Sequence, residues 1–264
     1  MVDLAETLRG LDAAKLQRLV KSAEGHSEEL CQLRRLAWAH LLRVVRGDAP
    51  AAWVEELKEH RQHYRDLVAL HREELDVKKF DANIANPLSR NAANPFLKKQ
   101  ANDELLQEIW KDVERTYPEV PLLQEERSRK AMQQVLFHWC KANNPAKDAS
   151  ESYRQGMNEL AAVLYYAVRN GEYSGPPGQA ADLCSASHSE ADAFALFSHL
   201  MEMGLRDMFA VERGNARKAP AKSPIGELPP PRARGPPERA QPQTAILARC
   251  SFIFDVLLRA LDEP

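Results

Sequence analysis

Two polar side chains in this chain sit where their own helices have no structural need of them. One is Arg115, in the run Ile109-Trp110-Lys111-Asp112-Val113-Glu114-Arg115-Thr116. The other is Gln155, in Tyr153-Arg154-Gln155-Gly156-Met157-Asn158-Glu159-Leu160. On a helical period Arg115 points away from Ile109 and Val113, with Asp112 three residues back on its own side. An arginine can neutralise charge developing on a transferring phosphoryl group, and a glutamine can orient an attacking water. Each also has a plain local reading. Arg115 with Asp112 makes an ordinary surface ion pair, favoured by the helix dipole near a last turn. Ser152-x-x-Gln155 fits a capping box, with the glutamine reaching back to the capping residue. Against that cap, Gly156 falls inside the expected first turn, where glycine is unfavourable by about 1 kcal/mol. A glycine there would let something approach the backbone closely.

No nucleophile stands beside a base, and there is no GxSxG, glycine-rich phosphate loop or HExxH. His60 and His63 share a predicted helix without a nearby cysteine, so a metal centre is not expected. Cys31, Cys140, Cys184 and Cys250 form no CxxC pair and read as reduced, apolar thiols. The net charge of −2 gives no general attraction to nucleic acid or anionic lipid. No apolar run is long enough for a membrane span, and acidic residues interrupt the N-terminus where a signal peptide would be apolar. A soluble, intracellular protein is expected, and its 44% hydrophobic residues supply a sizeable core.

The elements that must position Arg115 and Gln155 all read as helices. Residues 3–22 carry an interrupted amphipathic pattern, weakened at Gly10. Residues 28–46 carry the stripe Leu30, Leu33, Ala37, Leu41 and Val44. Beside it Arg34 and Trp38 lie four apart, close enough for a guanidinium to cover an indole; core packing of Trp38 with a solvated Arg34 is the alternative. Residues 51–75 form a further helix. The segment 81–96, with Asn86-Pro87 and Asn94-Pro95, reads as an ordered loop. Asn102 or Asp103 then caps the arginine helix, which Pro118 and Pro121 end. Helices over 124–142, 152–169, 189–209 and 244–261 complete an all-α chain, with a loop after Asn170 and Ser189 able to cap.

Eight of the 17 prolines fall between Pro220 and Pro242, in a stretch with more basic than acidic residues. This marks 211–243 as a flexible Pro/Arg-rich insert. PPPRARGPP within it could also adopt the extended form that an SH3-like partner domain recognises.

Ile109-x-x-Asp112-x-x-Arg115-Thr116 and Tyr153-x-Gln155-Gly156-Met157 resemble the paired signatures of TBC domains, GTPase-activating domains for Rab-type small GTPases. Arg34-x-x-x-Trp38 resembles that family's first motif, and the three occur in the family's order. NPLSRNAANPFLKK, RKAMQQVLFHWCKANNP and SEADAFALFSHLM resemble the flanks of one branch, which works in endosomal traffic. The resemblance implies an all-helical domain over 28–262, preceded by a helical extension over 1–27. Family domains add a C-terminal subdomain beyond a helix like that ending near Leu261, and the expectation for these residues is a TBC domain without it, as a fragment or as a naturally short protein. The resemblance also implies catalytic roles for Arg115 and Gln155, with Asp112, Thr116, Tyr153, Gly156, Arg34 and Trp38 supporting them. GTP and Mg2+ would be held by the partner GTPase, and the chain would need no cofactor of its own. The expected setting is the cytoplasm, peripheral to endomembranes through partners. A non-catalytic adaptor of the same fold is the competing reading.

Overall fold

The computed structural model describes residues 4–21, 31–76, 78, 86, 88–91, 93–143 and 153–209. The insert 211–243, the helix expected over 244–261, Cys250 and most of 77–87 lie outside the described residues. Among the described residues there is no strand, and an isolated bridge joins Tyr173 to Ser185. The fold is all-helical, as the periodicities predict.

The chain divides into two units after Met203. In the first, α1 (Leu4–Thr7) and α2 (Ala13–Lys21) are separated at Gly10 rather than forming one helix. They are followed by α3 (Cys31–Leu41), α4 (Pro50–Glu73), α5 (Pro95–Glu114), α6 (Pro121–Gln124), α7 (Glu126–Asn143), α8 (Met157–Asn170), α9 (Gln179–Cys184), a 3-10 turn at Ala186–His188, and α10 (Ser189–Leu200). Of the second unit, Gly204 to Phe209 are described, with a helical turn at Arg206–Phe209.

Helix α10 is the axis of the first unit and packs on α4, α7 and α8. Ala193 to Phe197 are buried without a break, the pattern of a helix surrounded on every side. Phe197 meets the edge of Trp139 on α7, and Phe194 meets Tyr64 on α4.

One carboxylate interrupts this apolar axis. Asp192 accepts from Arg35 Nη2 of α3 at 2.6 Å, and from Arg61 Nε and Nη2 of α4 at 2.7 and 2.8 Å. The two guanidiniums also collect carbonyls at helix ends, which have no partner within their own helix. Arg35 donates to Val168 and Cys184; Arg61 donates to Asp182 and Leu183. Five helices are thereby tied at one buried point. Gly171 makes the approach possible, because a Cβ there would lie 2.8 Å from the Arg35 side chain and from the Cys31 carbonyl. Burial would push the Asp192 carboxyl up; the Arg61 hydrogen bonds and the two cationic charges outweigh it and hold it below its usual value.

Several elements differ from their expected bounds for identifiable reasons. Helix α5 begins at Pro95, well before Asn102. Asn94 caps it, its side chain accepting from the Phe96 amide at 3.0 Å, and Pro95 occupies the first turn, where no amide partner is needed. Asn102 is instead buried in the helix interior. The loop expected over 170–179 is followed by α9, which sequence reading leaves unassigned because six residues are too few to show periodicity. Ser189 does not cap α10: it is the first residue of that helix, and its hydroxyl donates to Glu172.

A buried pair of imidazoles joins α4 to α7. His71 Nδ1 and His138 Nδ1 lie 2.7 Å apart, with the rings stacked. One ring donates and the other accepts, so the pair holds at most one added proton. Burial lowers the pKa of His138 to about 3, helped by His71 and Lys141. Burial and Lys141 likewise lower that of His71, with Glu74 opposing. Unfolded histidines bind protons near pH 6.5, so below that the unfolded chain takes up more protons than the folded one. Stability present above about pH 6.5 should therefore fall as pH falls towards the folded value, by about 1.4 kcal/mol at pH 5.5 for His138 alone. Urea unfolding at pH 7.5 and 5.5 should show this loss, and His138→Gln should reduce it.

Candidate functional site

The last turn of α5 and the approach to α8 meet through side chains. Asp112, buried, uses its two oxygens in opposite directions. Oδ1 accepts from Arg115 Nη2 at 2.5 Å, and Oδ2 accepts from the Tyr153 hydroxyl at 2.8 Å. The Asp112 carboxylate is 12% exposed, whereas the Arg115 side chain is 61% exposed. A largely fixed anion therefore holds a largely free guanidinium. Burial, with the Asp112 hydrogen bond and charge, raises the Tyr153 pKa, so its phenol remains a donor.

A second link runs beside the first. Thr116 Oγ1 donates to the Asp112 carbonyl at 2.6 Å and accepts from Asn158 Nδ2 at 2.8 Å. Asn158 Oδ1 in turn accepts from the Gly156 amide at 3.0 Å. The two segments are thus cross-linked by Asp112–Tyr153 and by Thr116–Asn158.

Between the segments lies an open depression of about 280 Å³, lined by Arg115, Thr116, Tyr117, Gln155, Asn158 and Glu159. Arg115 and Gln155 are both exposed residues of the same face.

Gly156 has a different local role from the expected one. It is the N-cap of α8 with φ +99°, not a first-turn residue. The left-handed backbone itself demands glycine there, because a Cβ would be strained. Gln155 consequently precedes the helix and is not at the third helical position that a capping box needs. Ser152, the proposed cap, lies outside the described residues.

Six of the eight sequence-selected residues, Asp112, Arg115, Thr116, Tyr153, Gln155 and Gly156, come together here. Arg34 and Trp38 do not. Arg34 Nη2 donates to Cys31 Sγ, which also accepts from Asn170 at the far end of α8. A 14-residue helix spans roughly 20 Å, and that length separates them from the depression. Trp38 is half-buried on α3. The buried arginine in that stretch is Arg35, which sequence reading passed over together with Arg61 and Asp192. A lone aspartate in the apolar run Ala191-Asp192-Ala193-Phe194 was the available signal, since a buried carboxylate requires cationic partners.

Cys31, Cys140 and Cys184 are free and buried. His60 bonds the Val44 carbonyl through Nε2. Among the described residues no three His, Cys, Asp or Glu side chains come together as metal ligands, and no helix is long and apolar enough to cross a membrane.

The described residues thus form an all-helical frame with Arg115 and Gln155 on one open face. The Rab-GTPase-TBC domain family matches residues 31–218, and the chain belongs to that family. It is 29% identical over 242 residues to mouse TBC1 domain family member 5, covering 88% of this chain and 28% of that protein. The human protein of that name matches at 29% identity over the same share of this chain and 29% of its own length. TBC1 domain family member 5 homolog B of Dictyostelium discoideum is 28% identical over 204 residues, 73% of this chain and 19% of that one. The chain thus spans less than a third of these relatives' length. The crystal structure of the Ypt/Rab-GAP domain of Gyp1p matches with a TM-score of 0.41 and 20% identity, over 72% of this chain and 56% of that one.

Proposed function

We propose that this chain stimulates GTP hydrolysis by a Rab-type small GTPase, supplying Arg115 and Gln155 in trans. The observation that carries the reading is their convergence on one open depression, with the supporting residues cross-linked behind them. The partner holds GTP and Mg2+. Arg115 meets charge developing on the transferring phosphoryl oxygens, and Gln155 orients the attacking water. Asp112 orients Arg115, and Tyr153 keeps Asp112 in place. Gly156, lacking a Cβ, leaves room for the partner's loop. The chain acts on the cytoplasmic face of endomembranes, where its GTPase resides.

The test is single-turnover hydrolysis across a panel of GTP-loaded Rab proteins. One or more should respond, and Gln155→Ala should lose most of the stimulation. A responding Rab whose own catalytic glutamine is substituted should stay partly responsive, because Gln155 takes over the water. Loss of all response by that Rab, with Gln155→Ala harmless on the unaltered one, would reduce the mechanism to a single finger. Tight Rab binding with no stimulation anywhere would establish the adaptor reading instead.

A further inference from the structure

Beyond Arg115, the chain takes a backbone conformation that few residues of its kind adopt. Arg115 ends α5 with φ −96° and ψ 0°, and Tyr117 follows with φ +43°. A bulky aromatic residue in the left-handed region is strained, and glycine is the usual occupant of such a position after a helix. Such strain persists only where the surroundings over-determine it. Here the restraint is visible. Gln124, at the end of α6, donates one Nε2 amide group to two successive carbonyls, Thr116 at 2.9 Å and Tyr117 at 3.3 Å. The Tyr117 carbonyl also accepts from the Val120 amide at 3.0 Å. Arg129 of α7 grips Gln124 from behind, its Nη2 donating to Oε1. The amide is therefore held at both ends.

The shape so held has a use. The left-handed turn puts Tyr117 into the depression beside Thr116, Gln155 and Glu159, with Arg115 on the same rim. Glycine at 117 would relieve the strain and remove the ring. We infer that Gln124, backed by Arg129, is a positioning residue that holds the Arg115–Tyr117 turn in its strained form and so presets the arginine. This rests on the finger reading given above. Gln124 lines no part of the depression; it acts through the turn.

The test uses the full chain with Gln124→Met, which keeps the length of the side chain and deletes its donors. Amide exchange of Val120 reads the turn without any GTPase. It should quicken by about five- to tenfold, the ratio of one neutral hydrogen bond. With a responding Rab, kcat should fall by about 10²-fold, as for a displaced catalytic group, with KM and melting temperature nearly unchanged. If Gln124→Met does not fold, Gln124→Asn carries the same comparison, because it is one methylene too short to span both carbonyls. Unchanged Val120 exchange overturns the inference. So does a lowered melting temperature with unchanged kcat, which marks a merely structural residue. Arg115→Ala is run alongside. If it abolishes stimulation while Gln124→Met does not lower kcat, the inference fails and the finger reading stands. If Arg115→Ala leaves stimulation intact, the finger reading itself fails and takes the inference with it.

Discussion

Replacement of Arg115 by alanine should reduce GTP hydrolysis by the responding Rab by about 10³–10⁵-fold, the worth of an arginine finger. The fold should survive it. The Arg115 side chain is 61% exposed, so its removal opens no cavity. Its exposed pair with Asp112 contributes about 0–1 kcal/mol at most, and Asp112 keeps the Tyr153 hydroxyl. Arg115→Lys should restore little, since lysine keeps the charge and loses the planar fork that meets two oxygens at once. Losses for Arg115→Ala and Gln155→Ala should not add, because both act on one transition state. Single-turnover hydrolysis, with circular dichroism and melting temperature as controls, checks all of this. Wild-type stimulation by Arg115→Ala would remove the arginine from the mechanism.

The largest stability effect is expected far from that face. Asp192→Ala should destabilise the chain by about 3–5 kcal/mol, because it leaves two buried guanidiniums without a counter-charge. Arg35 and Arg61 are each only 3% exposed. The folded pKa of Asp192 lies below its unfolded value. Its contribution is therefore present above about pH 4 and lost as pH falls through the folded value. Replacing all three charges by apolar residues often rescues a buried ion cluster. It should not do so here, because the arginines also satisfy the carbonyls of Val168, Asp182, Leu183 and Cys184. Urea unfolding of Asp192→Ala and of the triple variant Arg35→Met, Arg61→Met, Asp192→Leu separates the two contributions. Wild-type stability in the triple variant would show the carbonyl bonds to be dispensable.

Helical stripes such as Met157, Leu160, Ala161, Leu164 and Val168 were legible because burial repeats with the helical period. Arg115 and Gln155 were not singled out by periodicity: alone, their spacing fits a surface ion pair and a capping box equally well, and it is the resemblance of their motifs to the TBC signatures that sets them apart. What stayed hidden involves pairs distant in sequence. Arg35 and Asp192 lie 157 residues apart, so no local pattern announces their meeting. Arg34 drew attention in place of its neighbour because it pairs with Trp38 at helical spacing, while the residue turned inward is Arg35. The start of α5 was misplaced because Asn94-Pro95 reads equally as a turn and as a cap with proline in the first turn. Gly156 was seen as a cost to a helix; its positive φ depends on where the helix begins, which periodicity does not fix.

Helix α8 is anchored at both ends. Near its start, Asn158 is bonded to Thr116, and Tyr153, just before it, is bonded to Asp112. Near its finish, the Val168 carbonyl is bonded to Arg35. A rod pinned twice does not pivot, and Gln155 sits between the anchored Tyr153 and the anchored Gly156 amide. On the function proposed above, the backbone of this face is a fixed mould, and a visiting loop would do the bending. Much of the ordering entropy of docking then falls on the visitor, and discrimination among otherwise similar visitors would follow how readily each can take the required shape.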